Sequence, residues 1–342
     1  RSPRGNAEFA ENLVRLGQLC TSAVHTLQLF LPQSRRGNAK FAENLVRLGH
    51  HWGTECMRLR VVVSFVAFIT LWTTLAAAQK SSGPSNGTLI VDGGGATQPI
   101  VRRFVELAGG PQARIVVIAT APSSIRFGED NVILDPDWPR DRKEWQQYDA
   151  FLKRWFGVDR VEIIHTRDRG TADTESFVRP LNSATGVYLI PGNSGRLADA
   201  YLGTRTLTAL KALLQRGGVV FGSSAGAIIQ GSFTVRGRPD KPLLMAPGKT
   251  TGFGFLTNVA INPHLTSAKR DTELVNVVDA HPHILGIGID DDAALLVTKN
   301  TFEVIGTGRV AIYDNVRREG SWYYWLKPGD RFDLATWTRI KQ

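Results

Sequence analysis

From residue 88 onward, short apolar runs alternate with longer stretches in which apolar positions recur every three or four residues. Thr88–Asp92 reads Thr-Leu-Ile-Val-Asp and stops at Gly93-Gly94-Gly95. Pro99–Ala108 then has helical spacing, Arg114–Ala119 is a second continuous apolar run, and Arg140–Phe156 is a second helix. The pattern predicts further strands at Val161–Ile164, Val187–Ile190, Val219–Gly222 and Val259–Ile261. Helices are expected between them near Ala172–Asn182, Gly195–Gln215 and Ala225–Gly231, with another from about Ser267. Strands apolar on both faces and separated by helices predict an α/β fold with a doubly wound, mostly parallel sheet and helices on both faces. After Ile284 the texture changes to closely spaced runs, Ile287–Asp290, Ala294–Thr298, Phe302–Ile305 and Val310–Tyr313. These are expected as antiparallel hairpins added at the sheet edge, with Trp322–Leu326 as an edge strand or a covering flap.

The region before residue 79 follows a different pattern. Arg4–Gly17 recurs as Arg36–Gly49 at a 32-residue spacing with one substitution in fourteen, and two copies are too few for a solenoid. The first methionine is Met57. From it the chain reads Met-Arg-Leu-Arg, then an uncharged stretch from Val61 to Ala78 ending in Ala76-Ala77-Ala78. A basic start, an apolar middle and small residues at the cut are the marks of a secretory signal peptide. The expected organisation is therefore residues 1–56 as translated upstream sequence, 57–78 as a signal peptide, and 79–342 as one domain, exported to the periplasm or secreted. A membrane anchor is the alternative, because an 18-residue uncharged stretch is the lower bound of a spanning helix. Gln79 rather than Cys follows the cut, which excludes lipid attachment at a new N-terminal thiol.

Charge and cysteines narrow the chemistry. The net charge of +10 raises a nucleic-acid partner, but residues 1–78 supply half of that excess and the remainder has no long Lys/Arg block, so no nucleic acid is expected. Both cysteines, Cys20 and Cys56, precede Met57. A chain starting at Gln79 has no thiol for a disulfide, a thiolate nucleophile or a zinc ligand. Phosphate loops fail on spacing: Gly248-Lys249-Thr250 has Leu243 where a P-loop needs glycine, and the triplet at 93–95 has Gln98 where a dinucleotide fingerprint needs Gly or Ala. No cofactor and no metal are expected.

The informative motif is Gly222-Ser223-Ser224-Ala225-Gly226, a G-x-S-x-G placed between an apolar strand and a helix, the context of a nucleophile elbow. Ser224 Oγ is expected above the strand ends, beside a helix N-terminus whose free N–H groups suit an oxyanion. Ser223 lies one residue earlier, on the strand side. The glycine turn at Pro191-Gly192-Asn193-Ser194-Gly195 offers Gly192 as a second backbone donor.

A serine nucleophile needs a base. After residue 79 the histidines are His165, His264, His281 and His283. His264 follows the Val259–Ile261 strand directly, where active sites of open α/β sheets gather. His281-Pro282-His283 reads as a solvated loop, and its spacing lacks the carboxylates of a metal site. Asp290-Asp291-Asp292 supplies three candidates for the orienting acid. In a strand Asp291 would face opposite to the other two, and a calcium site or an exposed turn remain alternatives. The order Ser, His, acid differs from that of α/β-hydrolases and argues against a lipase or esterase.

Together, Gly93–Gly95, Pro191–Leu197, Gly222–Ala227, His264 and Gly288–Leu295 resemble the cyanophycinase and aspartyl dipeptidase family of serine peptidases, over roughly residues 86–315. The resemblance implies a class I glutamine amidotransferase-like fold with Ser224 as nucleophile, His264 as base and Asp291 where these enzymes usually carry Glu. It implies oxyanion donors at Gly192 and Ala225, and substrate contacts at Asn193, Ser194, Asn262 and Arg270. As cations, Arg270, or more weakly Lys269 or Arg196, are candidates to hold a substrate carboxylate. The implied substrate is a small Asp-containing peptide or a cyanophycin-like polymer. Membrane contact is expected only through the signal segment, and a homodimer stays open. The chain departs from the family pattern at Pro191–Ser194, at Asn262-Pro263, and at Ala268 and Glu273, where the family carries arginines. The chemistry is thus expected to carry over better than the specificity. A non-catalytic binding module of the same fold and an amidase acting on a non-peptide amide are the alternatives.

Overall fold

The computed structural model describes residues 83–341 apart from 236, 239–240 and 246–249, with backbone alone at 237–238 and 241–245. The repeat, the segment expected to be a signal peptide, both cysteines and Gly248-Lys249 lie outside the described residues.

In chain order the first half runs β1 (Thr88–Asp92), α1 (Gln98–Leu107), β2 (Ile115–Ile118), β3 (Ile125–Phe127), β4 (Val132–Leu134), α2 (Lys143–Phe156), β5 (Val161–Ile164), α3 (Arg169–Ala172), α4 (Glu175–Ser183), β6 (Gly186–Leu189), α5 (Ser194–Tyr201), α6 (Arg205–Gln215), β7 (Val219–Ser223) and α7 (Ala225–Ile228). The second half runs β8 (Gly231–Phe233), β9 (Gly237–Arg238), β10 (Lys241–Met245), β11 (Leu256–Pro263), α8 (Glu273–Ala280), β12 (Leu285–Ile289), β13 (Ala293–Thr298), β14 (Thr301–Gly306), β15 (Val310–Tyr313), β16 (Tyr324–Leu326), β17 (Arg331–Asp333) and β18 (Thr338–Ile340).

A nine-stranded sheet in the order β18-β17-β14-β13-β1-β7-β6-β2-β5 forms the centre. The five strands β1, β7, β6, β2 and β5 are parallel, and β13, β14, β17 and β18 extend the sheet antiparallel from β1. Alternate residues of one strand serve opposite layers. Leu89, Val91, Val116 and Ile118 pack with α4, α5 and α6, while Ile90, Ile115, Val117 and Phe221 pack with α1 and α2. This is the expected doubly wound architecture.

The structure differs from the sequence pattern in several places. Val259–Ile261 and Ile287–Asp290 do not join the central sheet. They belong to a second, five-stranded sheet, β16-β15-β12-β11-β8, in which β11 and β12 are parallel. One face of that sheet, with Val259, Ile261, Leu285 and Ile287, shares the core of the central sheet, and the other carries α8 through Leu274, Val277 and Val278. Both faces of these strands are therefore apolar, and pattern alone could not tell them from central strands. Of the late runs, only β13 and β14 form a hairpin on the central sheet. The Trp322–Leu326 segment contributes the edge strand β16.

Several helices are shorter than expected, among them Ala225–Gly231, which ends at Ile228. Gly195–Gln215 breaks at Leu202–Thr204 into α5 and α6, and Ala172–Asn182 breaks where Thr174 caps α4 by accepting the Phe177 N–H. Residues 265–269 form turns with Lys269 at φ 55°, so the helix expected from Ser267 begins only at Glu273. Among the described residues no helix is long and apolar enough to cross a membrane.

Candidate active site

Strand register brings the site together. β1 and β7 are parallel neighbours with Asp92 opposite Ser223, so Gly93 and Ser224 leave the sheet side by side. β11 and β12 are parallel neighbours with Pro263 opposite Ile289, so His264 and the Asp290–Asp292 turn also leave side by side. Between these two pairs, three successive carbonyls of the glycine segment act as a common frame. Asp92 O accepts the Ser224 N–H at 3.0 Å, Gly93 O the His264 N–H at 3.0 Å, and Gly94 O the Asp292 N–H at 3.0 Å.

The side chains meet above this frame. His264 Nε2 lies 2.8 Å from Ser224 Oγ, and His264 Nδ1 lies 2.5 Å from Asp291 Oδ1. The side chains of His264 and Asp291 are 34% and 36% exposed, so a substrate can reach them. Asp291 sits in a turn rather than in a strand. The alternation expected for the three acids therefore does not apply, because Asp292 turns at φ 59° to start β13.

Ser224 occupies φ 53°, ψ −108°, a strained conformation for a residue with a side chain. The turn closes because neither flanking glycine has a Cβ: one at Gly222 would overlap Gly226 O, and one at Gly226 would overlap Leu189 O. The Ala225 N–H begins α7, and neither it nor the Gly192 N–H donates a loop or turn hydrogen bond among the described residues. Gly192, at φ 147°, faces the backbone of Ala121 and Pro122, with which any Cβ would collide. Two arginines brace this loop: Arg196 Nη1 donates to Ala121 O at 3.1 Å and Arg167 Nη2 to Pro122 O at 3.0 Å.

Of the residues expected to touch substrate, two face inward. Asn262 is fully buried, with its amide pointing to Arg270 O (3.5 Å) and Glu273 Oε2 (3.4 Å). Ser194 is 6% exposed in the first turn of α5. Both offer little surface to a ligand, and the Asn262 amide is spent on the turn that follows His264. Asn193 is exposed and caps α5 by accepting the Gly195 N–H at 2.8 Å, which leaves its amide N–H groups free for a ligand. Arg270 is half-buried, and its charge is felt by Glu273. Lys269 is exposed. Arg196 is committed to Ala121 by one nitrogen. His165 bridges Thr120 and Asp137, and His281 packs on Phe233 with ring centroids 4.8 Å apart.

Two features escaped the sequence reading. Gly94 is the contact surface of the site: a Cβ there would overlap Asp291 Oδ1 and the His264 ring. Asp92 is buried under the nucleophile, with Ser223 Oγ donating to its Oδ2 at 2.5 Å. Burial pushes the Asp92 carboxyl up to about 7, against the lowering effect of the Ser223 hydroxyl and the Ala96 and Gly94 amides. The sequence signal was an acid closing an otherwise apolar strand directly before three glycines.

A parallel α/β sheet carrying a serine on a strained strand-to-helix turn, in contact with an imidazole that a carboxylate orients, defines an acyl-transfer type of site. The model of peptidase family S51 matches residues 89–305, and the chain belongs to that family. It is 30% identical over 219 residues to a cyanophycinase of Synechococcus elongatus, covering 63% of each chain. It is 28% identical over 222 residues to a cyanophycinase of a Nostoc species, covering 63% of this chain and 68% of that one. The fold is also that of a crystallised peptidase from an acI-B1 actinobacterium, with a TM-score of 0.55 and 23% identity over 72% of this chain and 97% of that one.

Proposed function

We propose that the protein is an exported serine peptidase that hydrolyses small Asp-containing peptides, including β-aspartyl linkages, through Ser224, His264 and Asp291. The observation that carries this reading is the unbroken relay from Ser224 Oγ through both ring nitrogens of His264 to Asp291. With Nδ1–H donating to Asp291, Nε2 is free to accept the serine proton. Ser224 Oγ then bonds to the substrate carbonyl carbon. The oxyanion formed is held by the N–H groups of Ala225 and Gly192, each worth roughly 3 kcal/mol in comparable sites. His264 returns the proton to the leaving nitrogen as the C–N bond breaks, and water attacks the acyl-enzyme by the same route to restore Ser224.

The family and its cyanophycinase relatives support peptide-bond hydrolysis, and Arg270 at the end of the His264 turn is suited to a substrate carboxylate. An aspartyl dipeptide is favoured over cyanophycin as the substrate, because Asn262, Ala268 and Glu273 depart from the family's pattern. Incubating the wild-type chain and Ser224→Ala with β-Asp-Arg, α-Asp dipeptides and cyanophycin tests the assignment. Turnover by wild type and none by the variant is expected; equal turnover removes Ser224 from the mechanism. N-terminal sequencing of the expressed protein tests export: a chain beginning at Gln79 is expected, and one retaining residues 61–78 overturns cleavage.

A further inference from the structure

We infer that Asp290 is a positioning residue for His264, acting on its backbone while Asp291 acts on its ring. The inference rests on the reading that Ser224, His264 and Asp291 work as a unit. His264 has φ 56°, left-handed backbone that a residue with a side chain holds only when its surroundings enforce it. On one side the His264 N–H is held by Gly93 O, and beyond it the end of β12 fixes the next two residues. Asp290 Oδ1 accepts both the Thr266 N–H at 3.0 Å and the Thr266 Oγ–H at 2.5 Å, two residues beyond His264. Leu265 N–H donates to Ile289 O at 3.2 Å, so the end of β12 holds the whole start of the turn.

Asp290 is itself fixed. It is 8% exposed, its N–H donates to Arg309 O at 3.0 Å, and its Oδ2 lies 3.6 Å from Arg309 Nε. Arg309 in turn rests over the Trp325 ring at 4.1 Å. The run of three acids thus divides its work. Asp290 clamps the backbone after His264, Asp291 contacts the ring, and the Asp292 N–H ties the turn to Gly94. Because Asp290 and Asp291 are adjacent, the imidazole and its orienting carboxylate are positioned by a single short rigid turn.

The test uses a fluorophosphonate, which reports on serine activation whatever the natural substrate. Labelling rates are compared for the wild-type chain, Asp290→Ala, Asp290→Asn, Thr266→Ala and Ser224→Ala, together with the low-field proton resonance of the His264 Nδ1–H. Asp290→Ala is expected to label about 100-fold more slowly, the cost of a misplacement near 1 Å, and to lose the low-field resonance. Asp290→Asn keeps an acceptor oxygen for Thr266 and is expected to restore both the rate, to within about threefold, and the resonance. Thr266→Ala removes one of the two bonds and is expected to label about fivefold more slowly. Wild-type labelling rate and resonance in Asp290→Ala would overturn the role. If that variant does not fold, Thr266→Ala decides: slowed labelling supports the role and an unchanged rate overturns it. A wild-type chain that no fluorophosphonate labels overturns the triad reading itself, and the positioning role with it.

Discussion

Ser224 and its neighbouring N–H groups rise from the parallel part of the nine-stranded sheet, at the end of β7 and the start of α7, whereas His264 and Asp291 arrive from the parallel pair β11 and β12 of the second sheet. The first region is built of regular elements with the strain confined to one residue of one turn. The second region is built of two irregular turns, where His264 and Asp292 both have positive φ and the backbone is held by Asp290 and by the glycine segment. A nucleophile needs only to be exposed and poised, and a sharp turn does that locally. A base must be aimed at a distant atom and an acid must be aimed at the base, so their placement demands contacts between sheets. The site is therefore only as good as the frame at Asp92–Gly94, which ties both regions together.

The change that breaks the second region most severely is Asp291→Asn. The carboxamide fills the same space but no longer favours a proton on His264 Nδ1, so Nε2 becomes the donor and cannot accept from Ser224. The expected loss is about 10⁴-fold in kcat, as in other triads, with KM little changed and the fold intact. Steady-state kinetics on an aspartyl dipeptide measures it; a loss under tenfold would mean that His264 is oriented by something else.

The floor of the first region carries the next largest effect, on stability rather than rate. Folded, Asp92 keeps its proton until about pH 7; unfolded, it loses it near its ordinary value of 3.8. Between these values the folded chain binds a proton that the unfolded chain lacks, so this group's contribution falls as pH rises from about 4 to about 7 and is level above that. The loss across that window is on the order of 4 kcal/mol. Asp92→Asn is expected to remove it while keeping an acceptor for the Ser223 hydroxyl. Denaturant midpoints at pH 5 and pH 8 should therefore converge in the variant relative to wild type, and an unchanged difference would show that Asp92 is ionised in the folded chain.

The same contrast explains which parts were legible in the sequence. Strand, sharp turn and helix are contiguous around Ser224, so period and glycine placement alone located the elbow, and the parallel sheet followed from β1, β2, β5, β6 and β7 being apolar on both faces. The second sheet was not legible, because its strands also bury both faces: Ile261 and Ile287 meet one core, Ala260 and Ala311 another. Asp290 and Asp292 could not be separated from Asp291 by alternation, since the run turned out to be a turn. Asn262 reads as polar at a strand end, but the chain curls over it and buries it beneath Arg270 and Glu273. Those outcomes depend on contacts from 8 residues away at Asn262 to tens of residues away between the strands, to which local periodicity is blind.

Gly94 tests the frame itself. Gly94→Ala places a methyl group where Asp291 Oδ1 and the His264 ring now lie, and φ 147° adds backbone strain for a residue with a side chain. The ring and the carboxylate must move apart or away from Ser224, so a loss of about 100-fold in kcat is expected. Gly95→Ala is the control on the same loop. It would overlap only Asp292 Oδ1, which lies outside the relay, and should cost far less rate.

The smallest effect is expected at Arg196, where it separates two roles in the first region. Arg196 Nη1 donates to Ala121 O, the carbonyl that also receives the Asn193 N–H at 2.9 Å, so the guanidinium stiffens the loop that presents the Gly192 N–H. If that is its work, Arg196→Met loosens the oxyanion donor and lowers kcat about fivefold, the effect of about 1 kcal/mol for a half-exposed charged bond, while KM stays near wild type. If Arg196 instead holds a substrate carboxylate, KM for an aspartyl dipeptide rises and kcat at saturation is kept. A fall in kcat at constant KM places Arg196 with the oxyanion loop and leaves Arg270, on the side of the second sheet, as the residue to examine for acidic substrates.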